Sequence, residues 1–276
     1  MMKLLDACWR MVFLSTILAG MTGCYAPREN TTRRIFSKTV SAPDHLEIYL
    51  LIGQSNMAGR AQIIAPDFDT LYGTYLFRGD SIHTWEVAVN PLNKYSTIRR
   101  ELSVQQLGPG YYFAKNMMQA EPGADIGLVV NARGGTSIDL WAPGKSYFND
   151  AVSRTRQAVQ NGTLRAILWH QGESDVKKYR EYPEKIVNLI NALRMEFNNP
   201  NLPFIAGEVA EEKPNRAEFN VMLKETLAKV PFTAVARVTG LTTYDSTHFD
   251  TRSMRIIGER YAVETLKLVN SPGNKK

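Results

Sequence analysis

The chain has 276 residues, 44% of them hydrophobic and 22% charged, with a formal net charge of +6. Such a chain can bury a large core without disulfides or metals, and its composition is not that of a disordered or fibrous protein. No long basic run marks a nucleic-acid surface, so the charge reads as a mildly basic exterior.

Residues 1–23 carry Lys3 and Arg10, an apolar stretch from Met11 to Met21, and small residues at the end. That order is a signal peptide, and the apolar run is short for a membrane span. The residues MTGC at 21–24 are similar to a bacterial lipobox, with Met21 in place of the usual leucine. Cys24 is then the lipidated first residue of an exported protein anchored in the bacterial cell envelope; simple secretion is the alternative. The other cysteine, Cys8, lies in the leader, so the processed chain forms no internal disulfide. Residues 24–43 are polar with little periodicity and read as a tether. One domain is expected over 44–272.

From there the chain alternates. HLEIYLLI (45–52), IGLVVN (126–131), RAILWH (165–170), PFIAGEV (203–209) and TAVARV (233–238) are short, β-rich and nearly continuous in apolar residues. Continuous apolar character predicts strands buried on both faces. Between them lie helical patterns. One is GPGYYFAKNMMQ (108–119), entered after Pro109. The others run from Phe148 to Val159, Ile186 to Phe197, Phe219 to Leu227 and Met254 to Thr265. The alternation predicts a three-layer α/β/α sandwich on a mainly parallel, five-stranded sheet. Residues 56–107 show no clear period and read as loops and short elements near a site.

Open parallel sheets bind ligands beyond the carboxyl ends of their strands, and here the polar motifs fall at those ends. The first strand exits into GQSNM with Ser55, the second into RGGTSIDLW with Gly134 and Gly135, and the third into QGESD with Gln171 and Glu173. After the fifth comes TTYDSTHFD with Asp245 and His248. A serine hydroxyl becomes a nucleophile when an imidazole takes its proton, and an acid must fix that imidazole. His248 is the candidate base, Asp245 the candidate acid, and Glu173 a candidate second acid. An oxyanion needs preorganised donors. The backbone N–H of Ser55, that of Gly134 or Gly135, and the Gln171 amide are candidates. No His-x-x-x-His or Cys/His cluster is present, so neither a metal nor a cofactor is expected.

The blocks GQSNM, GGTSI followed by Trp141, WHQGESD and DSTHFD…RIIGERYA resemble those of the SGNH-type sialate O-acetylesterase and carbohydrate esterase family 6 group. The resemblance runs from about Leu46 to Tyr261. It implies a flavodoxin-like sandwich and metal-free removal of O-acetyl groups from sugars such as sialic acid or xylan-type glycans. Ser55 stands in the nucleophile block, Asp245 and His248 in the last. Gln171 stands where broader SGNH hydrolases carry asparagine.

Gln54, Arg133 and Trp141 are candidate substrate contacts; Trp141 could equally pack beneath the glycine loop. Asn56 and Arg60 read as loop-fixing, His170 as structural, and His45 and His83 lack a motif. Two other functions fit the same scaffold: a general carboxylesterase of lipase type, and a non-catalytic carbohydrate-binding lipoprotein. The leader generates its own prediction. Cys24→Ser blocks lipid attachment and moves the protein out of the membrane fraction, as read by metabolic labelling with palmitate.

Overall fold

The computed structural model describes residues 44–79 and 84–272. The expected leader, Cys24 and the tether lie outside the described residues, as does His83. The first strand, β1 (Leu46–Gly53), explains its own apolar run. Ile48, Leu50 and Ile52 enter one hydrophobic cluster, while Tyr49 and Leu51 enter another. A strand covered on both faces has no solvent side on which to place polar residues.

β1 lies at the centre of a sheet with β2 (Leu71–Phe77), β3 (Trp85–Ala88), β4 (Ile126–Ala132), β5 (Gly162–His170), β6 (Phe204–Gly207) and β7 (Thr233–Ala236). The order is β3-β2-β4-β1-β5-β6-β7, and every pairing is parallel except that of β2 with β3. The sheet therefore has seven strands where five were expected. Both additional strands fall in the aperiodic segment 56–107. β2 is interrupted by Gly73 at φ 82° and shifts register between Leu71 and Tyr75, so only Thr74 to Leu76 pair with β4. β3 has four residues. Neither offers the unbroken apolar run that marks a central strand.

A short helical turn, α1 (Ser55–Ala58), follows β1 directly. The two faces of the sheet carry the remaining helices. α2 (Gly110–Ala120) and α6 (Thr251–Val269) pack through Phe113, Met117, Met254, Ile257 and Tyr261 against the side holding Tyr49 and Leu51. α3 (Ser146–Ala158), α4 (Tyr182–Glu196) and α5 (Arg216–Leu227) bring Phe148, Ile186, Leu189, Ile190, Phe219 and Leu223 to the other. α2 and α6 cross closely at Gly258, where a Cβ would stand 2.5 Å from the Pro109 carbonyl oxygen.

The central strands end flush. Gly53 pairs with Ala132 of β4 and with His170 of β5. Gly53 has φ 136°, and a Cβ there would meet the His170 carbonyl oxygen at 2.2 Å, so only glycine lets the chain turn out of the sheet here. Gln54 N–H then donates to that carbonyl at 2.8 Å, which fixes the exit direction.

α6 begins three residues after His248, and its N-cap, Asp250, fixes that start. The Asp250 carboxylate accepts from the Ser253 N–H at 2.8 Å, and Thr242 Oγ1 donates to the same carboxylate. Asp250→Ala is expected to lower stability by about 1 kcal/mol, the usual loss for an N-cap, in urea unfolding followed by tryptophan fluorescence.

Candidate active site

The loops after the flush ends of β1, β4 and β5 gather beside Ser55, and the loop after β7 brings His248 to it. The Ser55 side chain lies 2.9 Å from His248 Nε2, and His248 Nδ1 lies 2.7 Å from Asp245 Oδ2. Asp245 is also bound from behind: its Oδ1 accepts from the N–H of Thr247 at 3.0 Å and of His248 at 2.7 Å. Partial burial alone would push the Asp245 carboxyl up. The hydrogen bonds from the His248 ring and from the two backbone N–H groups outweigh it and hold the carboxyl below its ordinary value. Asp245 stays ionised beside the imidazole, so the proton on Nδ1 is held there and Nε2 presents a lone pair to the serine hydroxyl.

Glu173 does not share this contact. It is 3% exposed in its side chain, and its Oε1 accepts from Asn56 Nδ2 at 2.5 Å. The carboxylate in contact with the His248 ring is that of Asp245.

The site opens into a cleft of about 580 Å³ lined by Gln54, Ser55, Gly134, Gly135, Glu173 and His248, with Arg60, Arg100, Glu101, Val104, Ser174, Arg216 and Thr247 around them. Gly134 packs onto the serine: a Cβ there would sit 3.2 Å from the Ser55 Cβ and 2.7 Å from Arg60 Nη2. Among the described residues the backbone N–H groups of Ser55, Gly134 and Gly135 have no hydrogen-bond acceptor. Gln54 Oε1 accepts from Gln171 Nε2 at 3.2 Å, which leaves the Gln54 amide nitrogen without an acceptor among those residues.

Three expected contacts are corrected. Gln171 is not an oxyanion donor. It is fully buried, and its Nε2 faces Thr136 O at 2.9 Å, Asp175 Oδ2 at 2.5 Å and Gln54 Oε1, while its Oε1 accepts from Tyr182 OH at 2.9 Å. No hydrogen remains for a ligand. Burial pushes the Asp175 carboxyl up, against the Gln171 and Ile138 hydrogen bonds that lower it. Arg133 does not reach the cleft, because its Nη1 donates to the carbonyls of Ile98 at 2.7 Å and Arg99 at 3.2 Å. Trp141 is fully buried beneath the glycine loop, with its indole N–H on Thr136 Oγ1 at 3.1 Å and its ring edge-on to Trp169.

Two arginines that were not singled out as ligand contacts do line the cleft. Arg60 anchors Nη1 on the carbonyls of Gly59 at 2.6 Å and Val104 at 3.0 Å, and its Nη2 has no acceptor among the described residues. Arg100 donates from Nε to Gly134 O at 3.0 Å and is otherwise exposed. Arg60 carried a signal, since it lies five residues after Ser55 in the same short segment. Arg100 sits in the aperiodic stretch and carried none. Arg216, by contrast, is held by Ala210 O, Ser246 O and Thr247 Oγ1.

A family model described as carbohydrate esterase, sialic acid-specific acetylesterase, matches residues 45–267. A probable carbohydrate esterase of Arabidopsis thaliana is 33% identical over 183 residues, 59% of this chain and 69% of that protein. The X-ray structure of that Arabidopsis protein matches with a TM-score of 0.71 at 28% identity, over 82% of this chain and 98% of that one. NanS has the same fold, with a TM-score of 0.66 at 18% identity over 83% of this chain and 98% of NanS. So does a carbohydrate acetylesterase from Xanthomonas citri, with a TM-score of 0.61 at 21% identity over 80% of this chain and 56% of that one.

Asp245 and Gln171 separate chemistry from support. Asp245→Asn keeps an oxygen for the two backbone N–H groups and is expected to cost about 1 kcal/mol of stability at most, while kcat falls by up to about 10⁴ through the wrong tautomer. Gln171→Ala is expected to lose about 1–3 kcal/mol of stability, because it strips partners from a buried carboxylate and a buried tyrosine. Urea unfolding and acetate release measured on the same preparations check both.

Proposed function

This chain belongs to the carbohydrate esterase, sialic acid-specific acetylesterase family and is a carboxylic ester hydrolase; we propose that it removes O-acetyl groups from a carboxylate-bearing sugar of the sialic acid type through an acetyl-serine intermediate on Ser55. The observation that carries the reading is the unbroken chain from Ser55 Oγ through His248 to Asp245 at the mouth of the cleft. Ser55 Oγ attacks the acetyl carbonyl carbon while His248 Nε2 accepts the hydroxyl proton, and Asp245 stabilises the imidazolium. The carbonyl oxygen becomes an oxyanion. The free N–H groups of Ser55 and the glycine pair, with the Gln54 amide in the place expected for Gln171, are its donors. Collapse breaks the bond to the sugar oxygen, which leaves as an alcohol with the proton from His248. Water, deprotonated by the same nitrogen, then attacks the acetyl-serine, releases acetate and restores Ser55.

The cleft favours an anionic sugar over neutral acetylated xylan. Arg60 and Arg100 present guanidinium hydrogens beside Gly134, and such forks match a carboxylate. Glu101 and Glu173 are the opposing carboxylates in that lining.

Acetate release from O-acetylated sialic acid and from acetylated xylan tests both parts. Ser55→Ala is expected to reduce release to background on either substrate, and the quenched wild-type enzyme to carry one acetyl group on the peptide containing Ser55. Gln54→Ala is expected to lower kcat by about 10²–10³, the usual loss for one oxyanion donor. Arg60→Ala is expected to raise KM on the sialate and leave KM on xylan unchanged. Full activity in Ser55→Ala overturns the mechanism, and equal kcat/KM on the two glycans overturns the anionic-sugar reading.

A further inference from the structure

Asn56 follows the nucleophile in the chain and is completely buried. Its side chain crosses to the loop that carries His248. Nδ2 donates to the Thr247 carbonyl at 3.1 Å, and Oδ1 accepts from the Phe249 N–H at 3.3 Å. One amide therefore grips the backbone on both sides of His248. The remaining Nδ2 hydrogen goes to Glu173 Oε1 at 2.5 Å. A flipped amide would set its NH2 against the Phe249 N–H and its oxygen against two acceptors, so the three bonds fix one orientation.

The other ties of the histidine loop lead elsewhere. Tyr244 N–H donates to His248 O, Arg216 holds Ser246 O and Thr247 Oγ1, and Lys213 holds Thr247 Oγ1. Among the described residues, Asn56 makes the only hydrogen bonds between this loop and the Ser55 turn, apart from the Ser55–His248 bond itself.

Glu173 anchors the clamp. Its Oε2 has no partner among the described residues, and its nearest ring nitrogen, His170 Nε2, stands 4.0 Å from Oε1. His170 offers no compensating charge. Burial lowers its pKa, against the attraction of Glu173, and Tyr261 OH donates to Trp169 O at 2.7 Å. The 3.1 Å contact of His170 Nδ1 with that hydroxyl must therefore carry the imidazole hydrogen, which leaves Nε2 bare. A carboxylate kept in such a place with one direct hydrogen bond is costly to bury, although the Arg216 guanidinium attracts it from across the cleft.

Resting on the reading of Ser55 as nucleophile and His248 as base, we propose that Asn56, anchored by Glu173, is a positioning residue that sets the approach of His248 Nε2 to Ser55 Oγ. It touches neither substrate nor reacting atoms. Its effect falls on kcat, because a misplacement of about 1 Å in the reacting groups can cost about 10²-fold.

The test compares variants by p-nitrophenyl acetate kinetics and by the rate of fluorophosphonate labelling of Ser55, with circular dichroism confirming folding. Asn56→Ala is expected to lower kcat and the labelling rate by about 10², with KM within about twofold. Glu173→Gln keeps an acceptor for Asn56 and is expected to stay within about fivefold of wild type. Asn56→Asp sets two carboxylates together and is expected to be as damaged as Asn56→Ala. The exchanged pair Asn56→Asp with Glu173→Gln restores a donor–acceptor contact between the two side chains but leaves the Thr247 carbonyl without its donor, so it is expected to exceed Asn56→Asp and stay below wild type. Wild-type kcat in folded Asn56→Ala, or a loss in that variant carried by KM with kcat unchanged, overturns the proposal. Ser55→Ala run in parallel separates the failures: if it is inactive while Asn56→Ala is normal, only the positioning role falls.

Discussion

Everything at the site depends on three parallel strands stopping at the same level. β1 is paired on both sides, and Gly53, Ala132 and His170 share a rung of the ladder. Because the rung is level, the serine turn, the glycine loop and the loop after β5 leave the sheet side by side. Close approach of Gly53 to the His170 carbonyl is the tightest point of that arrangement. A residue with a Cβ there would push β1 off β5 and tilt Ser55 away from the histidine loop. The cleft is thus a property of sheet register before it is a property of any polar side chain.

The strands of that rung were legible in the sequence because burial on two faces removes polar residues from a strand. Ser55, Asp245 and His248 were legible because their chemistry needs those residue types and little else can replace them. The edge of the sheet was not legible. β2 and β3 are stabilised by pairing with each other and by a short contact with β4, and Gly73 breaks the pattern that would have marked the first of them. Tertiary pairing, rather than local propensity, makes these strands.

Gln171, Arg133 and Trp141 failed as ligand contacts for a common reason. Each is a polar or polar-tipped side chain beside a motif, and each is consumed in holding that motif's loop. Gln171 ties Thr136, Asp175 and Tyr182 together; Arg133 ties down the carbonyls of Ile98 and Arg99; Trp141 fills the space below the glycines. Arg133 still matters to the cleft indirectly, since the segment it tethers presents Arg100 to Gly134. Adjacency in sequence tells which loop a residue belongs to, whereas the direction of its side chain is decided by partners far away in the chain.

Asp245 and His248 lie on one short loop, and two hydrogen bonds join them, one to the ring and one to the backbone of His248, while a third ties Asp245 to the Thr247 N–H. The acid and the base therefore travel together. A fluctuation that lifts this loop away from the sheet leaves the imidazole tautomer intact and changes only whether the pair meets a hydroxyl. Asp245 and His248 form a cassette: a displacement of the loop as a whole would change its distance to Ser55 while leaving the contacts inside it unchanged.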